Sequence, residues 1–165
     1  MTSERYNHPN RLFPTEPNLR TVAKRLYTEI KDLPIVSPHG HTEPAWFAAN
    51  EAFGTATEIF LIPDHYLFRM LYSQGIPLES LGVPTIDSTP VETDQRKIWR
   101  TFAEHFHLFR GTPSRIWFEH ALHEVLGVEL PLTPKRADEI YDEINEKLSH
   151  DAFRPRALFE SFNIE

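Results

Sequence analysis

Residues 33–41 read LPIVSPHGH, and the fold turns on how that stretch is taken. Leu33 to Ser37 is a short hydrophobic run with a strand-like composition. Pro34 sits near its start, where a missing N–H is tolerated, and Pro38 ends it. Two histidines then follow two positions apart with Gly40 between them. On extended backbone, side chains i and i+2 point the same way, about 6.5 Å apart along the chain. His39 and His41 can therefore converge on one ion with bonds of about 2.0–2.1 Å. The alternative is a pair of turn histidines that hydrogen-bond locally. The chain has no cysteine, so any transition metal must be held by histidine, carboxylate or water.

Working outward, Leu19, Val22, Leu26 and Ile30 recur at helical spacing upstream. The polar, proline-punctuated residues 1–17 read as an arm that packs through Leu12 and Phe13. Downstream, residues 44–48 suggest a short helix with Pro44 in its first turn, and Gly54 ends the turn after it. Asp64 caps a clear helix, DHYLFRMLYSQG, which Gly75 stops. His65 and Arg69 lie four apart on one face of that helix, with Tyr66 pointing aside. A histidine, a phenol and a guanidinium near a helix start suit an anionic polar substrate. The same residues also fit a capped, solvated surface helix.

Residues 76–93 read as a long connection with one helical turn at Leu78 to Leu81. Three more amphipathic helices follow: one from Asp94 carrying Ile98, Phe102, Phe106 and Phe109; one from Pro113 to Leu126; and one capped by Thr133 with Ala137, Ile140, Ile144 and Leu148 facing inward. Pro155 to Ser161 suggests a last helix, and FNIE at 162–165 looks like a strand opening. The run 33–37 has no obvious partner of its own quality, so it either pairs with another chain or has lost its sheet.

Composition narrows the function. Twenty-four acidic against 17 basic residues give a formal charge of -7 with no basic stripe, which argues against nucleic acid. No run of eighteen apolar residues marks a membrane span, and the start lacks a signal-peptide pattern, so a cytoplasmic protein is expected. Trp46, Trp99 and Trp117 read as core or interface anchors. His105, His107, His120 and His123 read as structural. Glu43 either orients a ring of the histidine pair or caps the next helix.

Three runs, DLPIVSPHGHTEPAWFA at 32–48, PDHYLFRMLYSQG at 63–75 and RALFESFNIE at 156–165, together resemble the uronate isomerase family, the glucuronate isomerase branch of the amidohydrolase superfamily. The resemblance extends from about Arg11 to Glu165. It implies an α/β fold: the N-terminal part of a distorted (β/α)8 TIM barrel of the metal-dependent hydrolase type, with a mostly helical insertion. On that reading residues 1–32 are an arm and helix, 33–43 the first barrel strand and metal-binding loop, and 44–165 the helical region leading to the next strand. His39 and His41 match the family's metal pair, usually zinc. His65, Tyr66 and Arg69 match the segment that lines the sugar-acid site, with His65 and Tyr66 as catalytic candidates.

The implied reaction is aldose–ketose isomerisation of a hexuronate, D-glucuronate to D-fructuronate and D-galacturonate to D-tagaturonate, within pentose and glucuronate interconversion. A homo-oligomer is expected for the full-length form. Since a complete barrel takes about 250 residues, the chain is expected to end before its site is complete and to be inactive alone. Two alternatives stand beside this reading: a non-catalytic helical interaction domain, and a metal-dependent hydrolase of the amidohydrolase type.

Overall fold

A computed structural model describes residues 8–165. Its helices are α1 (Pro17–Ile30), α2 (Pro44–Ala49), α3 (Ala56–Phe60), α4 (His65–Ser73), α5 (Gln95–His105), α6 (Pro113–His120), α7 (Ala137–Leu148) and α8 (Pro155–Ser161). Two compact units are distinguished: Ala52–Phe153, and the described part of residues 1–51 together with Arg154–Glu165.

The unit Ala52–Phe153 holds the aromatic core. Ile98, Trp99 and Phe102 on α5 are fully buried, and Ile140 and Ile144 on α7 meet the same core. Trp99 lies within 6.0 Å of Phe118 and 5.8 Å of Phe102, ring centre to ring centre, and its indole N–H donates to Ala137 O at 2.8 Å. Two polar groups drawn into this core are paired: Thr57 Oγ1 donates to Gln95 O at 2.6 Å, and Ala56 N donates to Asn145 Oδ1 at 2.8 Å. Pairing matters because an unsatisfied buried donor or acceptor costs about 1–3 kcal/mol.

Local chemistry sets the helix ends. Asp94 accepts from Arg96 N and Lys97 N at the start of α5, and Thr55 forms a reciprocal capping box with Glu58 on α3. The helix expected from Pro113 to Leu126 divides: α6 stops at His120, and a wider turn from Ala121 to Val125 closes with Leu126 N donating to Ala121 O at 3.0 Å. Thr133 makes no side-chain cap; Pro134–Arg136 forms a 3-10 turn that leads into α7. Leu78–Leu81, expected as one helical turn in the long connection, is a 3-10 turn.

Ion pairs staple α5 to α7. Arg100 donates to Asp138 Oδ1 at 2.8 Å and Oδ2 at 3.0 Å, and Arg96 pairs with Asp142 while lying over the Tyr141 ring. The Arg100 guanidinium, followed by Arg96, holds the Asp138 carboxyl below the usual carboxylate range. A carboxyl depressed in the folded state contributes stability that is present above its unfolded value and is lost as pH falls through its folded value. Asp138→Asn is therefore expected to lower the urea midpoint modestly at neutral pH, at the scale of an exposed pair. The difference from the parent should close as the pH is taken down through the carboxylate range; a constant difference across that range would contradict it.

The other unit is built around one β contact. Ile35 N donates to Asn163 O at 2.8 Å and Glu165 N donates to Ile35 O at 2.9 Å, forming a parallel bridge between Ile35 and Ile164. Glu16 caps α1, which buries none of its residues; Leu19, Val22, Leu26 and Ile30 are 47 to 60% exposed. Phe13 of the arm meets Tyr27 edge-on at 5.7 Å, whereas Leu12 is exposed; the part of the arm before residue 8 lies outside the described residues. α2 packs on α8, with Phe47 edge-on to Phe159 at 5.5 Å.

These observations correct the expected fold class. The described residues are helices joined by turns, and their β pairing amounts to the isolated Ile35–Ile164 bridge. A barrel needs a closed sheet of several strands. The α/β TIM-barrel reading, the assignment to the amidohydrolase superfamily and the hydrolase alternative built on it are therefore overturned for this chain. The lone-strand expectation is corrected as well, because the run 33–37 finds its partner within the chain, in FNIE.

Candidate functional site

The histidine pair stands on the loop between Ile35 and α2. Ser37 Oγ donates to His39 O at 3.0 Å, which bends the loop at its start. Glu43 caps α2, its Oε1 accepting from Ala45 N at 3.4 Å, so this carboxylate serves the helix. Between these points the two imidazoles approach edge to face, with His39 Nε2 and His41 Nε2 3.0 Å apart. Both residues are exposed.

Ring nitrogens at that separation can both touch one divalent ion through bonds of about 2.0–2.1 Å, so the pair fits two neighbouring places in a coordination shell. In the absence of an ion the same separation accommodates a hydrogen bond in which one ring N–H donates to the other ring. Among the described residues, no group of three or more His, Asp or Glu side chains gathers around a common point.

The second group of candidates starts α4. Asp64 Oδ1 accepts from Tyr66 N at 2.8 Å and from Leu67 N at 3.3 Å, and Gly75, with φ +85°, turns the chain out of the helix. Leu67 and Leu71 are buried, which leaves His65, Tyr66 and Arg69 on the exposed side. Tyr66 does not point away from His65: the two rings lie 4.2 Å apart, tilted by 32°. Side chains in the first turn have no preceding helical turn to clash with, and this freedom lets adjacent rings meet. The cap is expected to hold this turn, and Asp64→Ala should destabilise it by about 1 kcal/mol. Faster amide exchange at Tyr66 and Leu67 would report that loss; unchanged exchange would show that the cap is dispensable.

His39 and His41 belong to one compact unit, and His65, Tyr66 and Arg69 to the other. Residues 18–165 match the family described as glucuronate isomerase. The chain belongs to that family. It is 58% identical over 157 residues to the uronate isomerase of Mesorhizobium japonicum, a match covering 95% of this chain and 34% of that protein. With the uronate isomerase of Rhizorhabdus wittichii it shares 56% identity over 158 residues, covering 96% of this chain and 33% of that protein.

Among solved structures, the glucuronate isomerase from Caulobacter crescentus superposes with a TM-score of 0.91 at 54% identity, over 96% of this chain and 33% of that one. The uronate isomerase from Thermotoga maritima superposes at 0.76 with 26% identity, over 88% of this chain and 30% of that one. The chain thus spans about a third of the length of these glucuronate and uronate isomerases. Asn50 and Arg156, which fasten α2 to α8, receive no role from the sequence. Asn50, at φ 51°, ends α2. Asparagine directly after a short helix is a known stop signal and was there to be used. Arg156 carried no local signal at all.

Proposed function

We propose that this chain is a functional segment of a uronate isomerase that interconverts D-glucuronate with D-fructuronate and D-galacturonate with D-tagaturonate. The observation that carries the reading is the 3.0 Å approach of His39 Nε2 to His41 Nε2 in a chain of the glucuronate isomerase family. On this reading His39 and His41 hold a divalent ion, zinc by preference, and His65, Tyr66 and Arg69 meet the sugar acid. The bound ion supplies a positive charge that polarises neighbouring oxygens.

The reaction moves protons within one substrate. The sugar ring opens, the C2 proton is removed, an enediol forms, and a proton is delivered to C1 while negative charge on the C1 and C2 oxygens is stabilised. His65 and Tyr66 are assigned to proton handling or to contact with those oxygens, and Arg69 to the substrate carboxylate, which its planar guanidinium can grip through two parallel hydrogen bonds. No helix among the described residues is long and apolar enough to cross a membrane. A homo-oligomer is expected for the longer protein.

The test is an isomerisation assay on a longer polypeptide that contains these residues, with each hexuronate followed by proton NMR. Appearance of the matching ketose, and its loss on His65→Ala or Tyr66→Phe, is the expected result. If neither hexuronate is converted, the proposed activity fails.

A further inference from the structure

One distant segment, Arg154–Glu165, grips the histidine loop at both ends. At the upstream end the grip is the parallel bridge, with Ile35 donating to Asn163 O and accepting from Glu165 N. At the downstream end it is Arg156. Its Nε donates to Phe47 O at 2.7 Å and its Nη2 to Ala48 O at 3.1 Å, while its backbone N–H donates to Asn50 Oδ1 at 3.1 Å. The Asn50 carbonyl in turn accepts from Arg154 Nη1 at 3.2 Å. A helix of six residues such as α2 has little stability of its own, because its last carbonyls lack intrahelical partners and nucleation is unfavourable. A guanidinium that satisfies two of those carbonyls and brings positive charge to the helix C-terminus supplies what α2 lacks.

We propose that Arg156 is a positioning residue for the His39–His41 pair, a role that rests on the reading of that pair as the ion-holding site. The argument runs through α2. The loop leaves Ile35, carries both histidines and enters α2 at Pro44; with both ends held, it has only its interior torsions to settle. If α2 loosens, the loop keeps one fixed end and gains conformations in which the rings separate. Ordering each residue's backbone costs about 1–2 kcal/mol, so a loop fixed at one end does not hold two exposed rings together. Gly40 adds to that freedom: among the described residues, and apart from its chain neighbours, the one atom within 4 Å of where a Cβ would stand is Thr42 Oγ1 at 3.8 Å.

The experiment has two readouts on the 165-residue chain, the first made without metal. In the parent, cross-relaxation between the His39 and His41 ring protons should be observed by NMR. In Arg156→Ala it should disappear, with amide exchange at His41, Thr42 and Trp46 accelerated about tenfold or more and the amides of α5 and α7 unchanged. Arg156→Lys keeps the charge and one donor but not the two-carbonyl fork, and should fall between the two. It also covers the case in which the alanine variant does not fold. Retention of the ring contact and of parent-like exchange in both variants would overturn the proposal.

The second readout is a cobalt(II) titration followed by visible absorption. Arg156→Ala should weaken binding by about 10-fold or more, as loss of supporting contacts around a metal does. A parent chain that binds no cobalt would refute the ion-holding reading, while the ring contact would still decide the role of Arg156. A parent that binds cobalt and an Arg156→Ala variant that binds it equally well would refute the positioning role alone.

Discussion

Trp99→Ala is expected to destabilise the unit Ala52–Phe153 by about 3–5 kcal/mol, the range for removing a large aromatic side chain from a packed core. Trp99 is fully buried on α5, with Phe102, Phe118 and Tyr141 around its ring at 5.8 to 6.0 Å. Truncation removes these contacts together and leaves the Ala137 carbonyl at the start of α7 without its indole donor. Since a typical domain is stable by only about 5–15 kcal/mol, the loss takes up much of the margin. Trp99→Phe keeps most of the volume and gives up the hydrogen bond, so it should cost clearly less. Urea unfolding followed by far-ultraviolet circular dichroism measures both variants without relying on the deleted indole. Equal midpoints for Trp99→Ala and the parent would rule out the packing described here.

The second large effect concerns the ion proposed for the histidine pair. His39→Ala and His41→Ala should each weaken zinc or cobalt(II) binding by at least about 10–100-fold. Outer-shell losses alone reach that range, and removing a ligand outright should do no less. On the proposed reading the two histidines act as one site, so the double variant should add little to either single change. His105→Ala is the control: its Nδ1 is already engaged with Thr101 O at 2.8 Å within its own helix. Calorimetric titration of the parent and these four variants gives the comparison. Parent-like affinity in His41→Ala would mean that the 3.0 Å ring approach is an ordinary hydrogen bond.

How legible these features were in the sequence depended on the range over which each is encoded. Ile98, Phe102, Phe106 and Phe109 follow one another at three- and four-residue intervals, and all four are buried. Asp64 and Asp94 were readable as caps because capping is a matter of two or three positions. The meeting of His39 and His41 was readable for the same reason. The run 33–37 and the run FNIE were each recognisable as strand-like, but their pairing was not, because periodicity says nothing about which distant segment completes a backbone ladder. The α2 clasp is longer-range still, since Arg156 lies 109 positions from Phe47. Tyr66 departed from expectation for a local reason: helical spacing fixes where Cβ points, while the rotamer decides where a ring at the first turn ends up. The barrel came from resemblance alone and from no residue pattern, and a single bridge is what the described backbone forms.

The double grip on the histidine loop also dictates an order of events. During synthesis the loop emerges early, but both of its anchors arrive only with residues 154–165, after the whole unit Ala52–Phe153 has been made. Bringing ends so far apart in sequence together carries a closure cost that grows with the logarithm of the intervening length. A hydrogen bond between Arg154 and Asn50 joins the two ends of that intervening stretch, so prior folding of the stretch shortens the flexible span that remains to be closed. His39 and His41, though made early, would thus be among the last of these 165 residues to reach their final places. A nascent chain stalled before Pro155 would carry a complete aromatic core and an unassembled histidine pair.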